Sequence, residues 1–329
     1  MNFVRGRVLG REFILPFTAV YHLNLRCNSQ CSWCSREEDM RLHHSGGVDI
    51  TKVETILRAV RRLTPSLYIA GGEPTLEANV SEVLKLARNL GFWPIVLNTN
   101  GTLLDRRPEV VQLADRIIVS LHADTPAKQA AILRVNPALG QKVFDNLLWA
   151  ARTTGRVAVN CVLTQDNIED AHGVLAFCLA HNIPFAVVPA VVGYQPAIAT
   201  ASPDRIEAYR QFVGKVMEAK SQWPRAVVGT MSYLQKVQSL DGFDCRPSGI
   251  ITISPEGKIV NPCSFKYREV PQTIGVANGH ESIEVQLRRQ LDFSATHTKC
   301  PGGNCLKMCY VGPAMALETP AQSIREFLS

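Results

Sequence analysis

Between Thr18 and Pro189, short apolar, β-branched runs alternate with longer stretches whose apolar residues recur at helical spacing. A chain patterned this way builds a parallel sheet wrapped by helices, since each strand must bury the face that a crossover helix covers. The expected strands are Ala19 to Leu25, Leu67 to Ala70, Pro94 to Thr99, Ile117 to Leu121, Val157 to Leu163 and Phe185 to Pro189. Ile56, Leu57, Val60 and Leu63 form one helical stripe, and Val83, Leu84, Ala87 and Leu90 form another that Gly91 ends. Six such units are too few to close an eight-stranded barrel, so the expected fold is α/β, a partial (β/α)6 TIM-like barrel.

After Pro189 the pattern changes. Ser202-Pro203 carries the N-cap and first-turn signature of a helix, followed by Ile206, Tyr209, Val213, Val216 and Met217 at helical spacing. Farther on, Ile250 to Ser254 and Lys258 to Val260 flank the turn Pro255-Glu256-Gly257, the pattern of a small hairpin. Cysteines lie on both sides of it. The expected organisation is a lead-in over 1–17, the barrel over 18–200, connecting helices over 201–240 and a small cysteine-rich hairpin/helix module over 241–329. A chain of 329 residues, 46% hydrophobic and 19% charged, can bury a core for two such domains.

The N-terminal residues lack the apolar core and cleavage site of a signal peptide, and no apolar run reaches the roughly 18 residues of a membrane span. The expected location is cytoplasmic. Reducing conditions there keep thiols unpaired, so ten cysteines point to metal binding or catalysis rather than to a disulfide framework. The net charge of +6 comes without a run of five like charges, and no clear nucleic-acid site is expected.

Cys27, Cys31 and Cys34 fall within eight residues, directly after the first strand, where α/β folds place their chemistry. Three thiolates can surround one metal centre. An iron-sulfur cluster, a zinc ion completed by His43 or His44, and inert thiols are all compatible with that spacing.

The pattern C-x3-C-x2-C, with Trp33 just before the third cysteine, resembles the radical S-adenosylmethionine (SAM) enzymes. The resemblance implies a four-iron, four-sulfur cluster on Cys27, Cys31 and Cys34 whose fourth iron chelates SAM. Reductive cleavage would then release a 5'-deoxyadenosyl radical that abstracts hydrogen from a substrate, with a reductant such as flavodoxin or ferredoxin supplying the electron. Gly71-Gly72-Glu73-Pro74, after the second strand, is similar to the family's glycine-rich loop; paired glycines let backbone approach a ligand, and by resemblance Glu73 contacts the methionyl amino group. Asn98-Thr99-Asn100-Gly101 ends the third strand and Ser120 the fourth. From these positions family members reach the cofactor, which makes Trp33, Asn98, Asn100 and Ser120 candidate binding residues. Leu121-His122-Ala123-Asp124 departs from the Asp-Gly pair common in relatives. Asn160 is expected to point inward from the fifth strand.

Cys161 and Cys178 lie in apolar segments and read as core residues. Cys245, Cys263, Cys300, Cys305 and Cys309 surround the hairpin and a glycine-bearing loop, an arrangement that resembles the SPASM and twitch extensions with their auxiliary clusters. Two features depart from that pattern: the gap between Gly257 and Cys263 is one residue longer, and no cysteine follows Cys309. A single auxiliary cluster is therefore expected, with zinc as its alternative. Trp93 and Trp149 read as packing residues, and Arg58, Arg61 and Arg62 as a solvated helix face.

Two kinds of enzyme remain, one acting on a small molecule and one modifying a ribosomal peptide or protein side chain. The short lead-in before the first strand favours the first. A third reading, a non-enzymatic zinc or iron-sulfur protein, is opposed by the Gly-Gly-Glu-Pro loop. The molybdopterin-type cyclase, another relative, fits poorly in its C-terminal cysteine spacing and its missing glycine tail.

Overall fold

The computed structural model describes residues 16–34, 47–192, 195–243, 250–257, 259–260 and 305–306. Six parallel strands follow the expected order: β1 (Thr18–His22), β2 (Leu67–Ala70), β3 (Ile95–Thr99), β4 (Arg116–Ser120), β5 (Val157–Leu163) and β6 (Phe185–Pro189). The crossovers carry α1 (Ile50–Arg61), α2 (Val80–Asn89), α3 (Pro108–Leu113), α4 (Pro126–Leu133), α5 (Pro137–Thr154) and α6 (Ile168–Ala180), and α7 (Pro203–Gln222) and α8 (Met231–Ser239) follow β6. Asp49 caps α1 by accepting from the Thr51 and Lys52 amides, and α1 buries Val53, Ile56, Leu57 and Val60. A stripe at this spacing lies on one helix face, so burying it against the sheet fixes how α1 is rotated.

Alternate residues on the strands meet different surroundings. Leu67, Ile69, Ile95, Leu97, Ile117, Val119, Val159, Cys161, Phe185 and Val187 are fully buried under the helices. Val20, Tyr68, Val96, Asn98, Ile118, Ser120, Asn160, Val162 and Val188 are only half-buried. A closed barrel fills its interior with layers of side chains, whereas this curled sheet leaves its inner face partly open. That face is where a ligand has room.

After β6, a short ribbon pairs β7 (Val191–Val192) with β8 (Gln195–Pro196). The expected hairpin is present as β9 (Ile250–Ile253) and β10 (Ile259–Val260), closed by Gly257 at φ +82°. Its partner was not legible in the sequence. β9 pairs parallel with β1, placing Ile250 beside Thr18 and Ile253 beside Tyr21, so the hairpin extends the barrel sheet in the order β10-β9-β1-β2-β3-β4-β5-β6. Cys305 lies nearby in a small cluster with Val191 and Ile250, against which Val20 and Phe243 pack. Cys245, Cys263, Cys300 and Cys309, expected with it in an auxiliary site, lie outside the described residues, as do His43 and His44.

Cys161 and Cys178 are core residues, fully buried as expected. Trp93 is not: its side chain is 70% exposed at the entry to β3. Apolar neighbours in sequence did not become neighbours in space, because Phe92 turns inward while Trp93 turns out. Arg61 is more than a solvated residue, for its Nε donates to the Gly91 carbonyl at 2.9 Å and its guanidinium lies 5.9 Å from the Phe92 ring centre. Among the described residues no helix is long and apolar enough to cross a membrane.

Candidate active site

Apart from Cys305, which clusters with Ile250 and Val191, the candidate residues within the described chain follow the C-terminal ends of the strands. Beyond β1 the chain runs over the loop that follows β2, and two backbone bonds join them: Gly72 N–H donates to the Asn24 carbonyl at 3.0 Å and Glu73 N–H to the Arg26 carbonyl at 2.7 Å. A β-carbon on Gly71 would stand 2.4 Å from the Asn24 oxygen, and one on Gly72 only 2.0 Å from the Arg26 oxygen. The close approach that requires the paired glycines is thus made by the chain's own backbone, where a ligand had been expected. Asn24 Nδ2 adds bonds to the Glu73 carbonyl at 2.9 Å and to Glu77 Oε1 at 2.8 Å, which Arg26 also reaches at 2.8 Å.

The side chain of Glu73 is also held by the protein. Its carboxylate is fully buried and accepts from Thr75 N–H at 2.9 Å, Thr75 Oγ1 at 2.6 Å, Thr99 Oγ1 at 2.7 Å and Asn100 N–H at 2.6 Å. Oε1 takes three of these bonds and Oε2 one, so Oε2 keeps room for a further donor. Burial pushes its pKa up, and the bonds from Thr75, Asn100 and Thr99 pull it back. The side chain ties the β2 loop to the end of β3. Pro74 opens the short 3₁₀ turn that Glu73 caps and is itself buried.

Asn100 also turns toward the protein. Its Nδ2 donates to Asn28 Oδ1 at 2.7 Å and Ser29 Oγ at 3.0 Å, inside the cysteine loop. Asn98 and Ser120 are half-buried at the ends of β3 and β4, and Asn160 pairs with Ser120 in register.

Cys27, Cys31 and Cys34 are half-buried, unbridged thiols. Burial, with smaller contributions from the charges of Glu73 and Cys34, pushes the Cys27 pKa up to about 11 against the bonds from Ser29; burial, with Cys34 and Cys27, pushes that of Cys31 up to about 12. Charging Cys27 and Cys31 therefore calls for a compensating cation, which an iron-sulfide core supplies. Among the described residues no three His, Cys, Asp or Glu side chains converge to hold a single metal ion. A four-iron cluster takes its thiolates at separate corners, and this loop offers three of them. The donor set fits such a cluster.

His122 is the site residue that sequence reasoning missed. It is buried at the end of β4, its Nδ1 accepts from the Val162 amide at 3.1 Å, and its ring meets Trp33 edge-to-face with centres 5.3 Å apart. Gln129 and Asn167 fix the turn, with Gln129 Oε1 accepting from His122 N–H at 2.9 Å and Asn167 Nδ2 donating to the His122 carbonyl at 3.0 Å. Burial lowers its pKa from an ordinary 6.5 to about 4. The unfolded chain binds a proton between those values that the folded chain does not, so this contribution is complete above 6.5 and fades as the pH falls toward 4. Acidifying from pH 7 to 5 should cost the metal-free protein about 2 kcal/mol through this group. Urea unfolding at both pH values should show that loss in the wild type and its absence in His122→Asn; the same loss in both would assign the titration elsewhere.

Residues 21–178 match the model of the Radical SAM superfamily. Over 295 residues the chain is 30% identical to a probable GTP 3',8-cyclase of Methanothermobacter thermautotrophicus, covering 84% of this chain and 92% of that one. A shorter match, 36% identical over 81 residues, covers 24% of this chain and only 16% of the 7,8-dihydro-6-hydroxymethylpterin dimethyltransferase of Methanocaldococcus jannaschii. Among solved structures, Streptococcus suis SuiB bound to S-adenosylmethionine has a TM-score of 0.62 at 17% identity, over 91% of this chain and 71% of that one. SuiB has also been solved bound to the precursor peptide SuiA. A likeness at that identity is one of fold.

Proposed function

Because the chain belongs to the radical SAM superfamily, we propose that it holds a four-iron cluster on Cys27, Cys31 and Cys34 and uses it to cleave S-adenosylmethionine and attack a small-molecule substrate. When bound, the cluster and cofactor supply one-electron cleavage to a 5'-deoxyadenosyl radical, and the protein's part is binding, orientation and exclusion of water. The observation that carries this reading is the half-buried trio of free thiols in the one loop after β1, two of which, Cys27 and Cys31, are buried enough that ionisation calls for a cation. Trp33, braced by His122, and the Gly71–Pro74 backbone border the cofactor region, while Asn98, Ser120 and Asn160 offer neutral hydrogen-bonding groups on the open inner face.

A small molecule is favoured over a peptide because the relative aligned over most of both chains is named for an enzyme acting on GTP, whereas the peptide-binding neighbour resembles this chain in fold alone. The C-terminal cysteines, Cys245, Cys263, Cys300, Cys305 and Cys309, are read as supplying one auxiliary cluster, and a flavodoxin or ferredoxin as supplying the electron. Thiol ligands of this kind suit a reducing compartment such as the cytoplasm.

Anaerobic reconstitution with iron and sulfide quantification tests the reading. About eight irons per chain are expected for two clusters and about four for one. The paramagnetic resonance signal of the reduced protein should change when S-adenosylmethionine is added, and GTP is the first substrate to try for stimulation of 5'-deoxyadenosine formation. Zinc in place of iron, or a signal indifferent to the cofactor, would overturn the proposal.

A further inference from the structure

Asn100 is held from three directions. Its backbone N–H donates to Glu73 Oε2, and its Oδ1 accepts from Thr102 N–H at 3.0 Å and from Thr102 Oγ1 at 2.7 Å. Because a backbone N–H can only donate, the amide's orientation is determined: Oδ1 faces Thr102 and Nδ2 faces the cysteine loop. The two Nδ2 hydrogens go to Asn28 Oδ1 and Ser29 Oγ, and Asn28 Nδ2 closes the ring by donating to Thr102 Oγ1 at 2.9 Å. Asn28 and Ser29 are thereby fixed on both sides of the bond that aims Ser29 N–H at Cys27 Sγ, 3.4 Å away. The same Nδ2 stands 3.9 Å from that sulfur with both hydrogens already bonded, so its positive end faces the thiol while Ser29 N–H is the donor aimed at it. At 8% exposure for Asn100 and 5% for Ser29, neither contact is shared with much solvent.

We propose that Asn100 is the positioning residue for Cys27, holding Ser29 N–H and its own amide against the sulfur so that the cluster bound there is easier to reduce. The inference rests on Cys27 being a cluster ligand. Hydrogen bonds to the sulfurs of an iron-sulfur cluster draw electron density from it and favour the reduced form, and loss of such outer contacts weakens metal sites roughly 10–100-fold. Asn100 thus acts through Cys27 and through the loop, with no contact to substrate required.

The test compares wild type, Asn100→Asp and Asn100→Ser, reconstituted anaerobically and titrated with dithionite and mediators, reading the resonance signal that S-adenosylmethionine perturbs. Asn100→Asp keeps the Thr102 contacts but replaces the donor with an anionic oxygen. The reduced-to-oxidised ratio at fixed potential should fall about tenfold or more, equivalent to at least about 59 mV for one electron. Asn100→Ser, without the charge, should fall in the same direction by less. Ratios within about threefold of wild type in both variants, with normal iron content, would overturn the proposal, since a merely structural residue would move the unfolding midpoint and not the potential. If both variants fail to retain the cluster, Thr102→Ala decides: it removes only the hydroxyl that links Asn100 to Asn28, and a wild-type ratio there would also overturn it. A wild type that binds no iron would instead strike the functional reading itself.

Discussion

Cys31→Ala is expected to abolish 5'-deoxyadenosine formation, with or without substrate, and to remove the cofactor-sensitive resonance signal. Of the two thiols of this loop with resolved shifts, Cys31 is pushed higher, to about 12, by burial and then by Cys34 and Cys27, so it gains more than Cys27 from a cationic partner. It also packs against the main core, and the neighbouring Gln30 N–H donates to the Leu133 carbonyl at 2.9 Å, anchoring this part of the loop to the end of α4. Losing a ligand should exceed the roughly 10–100-fold effect of losing an outer contact. Alanine removes one sulfur, leaves a small gap beside the core and spares the backbone, so the metal-free protein should unfold within about 1–2 kcal/mol of wild type. Undiminished 5'-deoxyadenosine formation in the variant would refute the assignment of this thiol. A large stability loss with the activity would show that Cys31 serves the fold instead.

The barrel was legible because its signals are local. Period-two burial in the strands and period-3.6 stripes in the helices are both readable within a dozen residues, and the structure differs from the expected strands by trimmed ends, as in β1, which stops at His22 where Leu25 was expected. The site's location was legible for the same reason, since its residues follow successive strand ends in chain order. What each residue does there was less so. Glu73 reads in sequence as an available carboxylate, but two of its donors come from Thr99 and Asn100, more than twenty residues away. The Thr75 contacts were within reach of inspection: a polar residue before Pro and Thr is the pattern of a capped first turn. His122 was passed over because its partners Trp33 and Val162 lie far off along the chain. The β9–β1 pairing joins segments more than two hundred residues apart, and no local pattern specifies which edge a hairpin joins.

Gly72→Ala is expected to have the largest effect on the fold of the site. The added methyl would stand 2.0 Å from the Arg26 oxygen, 2.4 Å from the Arg26 carbonyl carbon and 2.8 Å from the Leu25 oxygen. All three are backbone atoms, so no rotamer change can relieve the contact. Either the cysteine loop lifts away or the β2 loop withdraws, and both movements break the Glu73 N–H bond to Arg26 that fixes the residue before Cys27. Ordinary overpacking of a core costs about 1–3 kcal/mol; here the loss should be about 3 kcal/mol or more, read as a lowered urea midpoint in the metal-free protein, with iron uptake after reconstitution reduced at least about tenfold. Gly47→Ala is the matched control, because its new methyl would meet nothing within 4 Å, and its stability should stay within about 0.5 kcal/mol of wild type. A Gly72→Ala protein that matched this control in both midpoint and iron content would mean that the two loops are not joined as the backbone bonds require, and the paired glycines would then need a ligand to explain them after all.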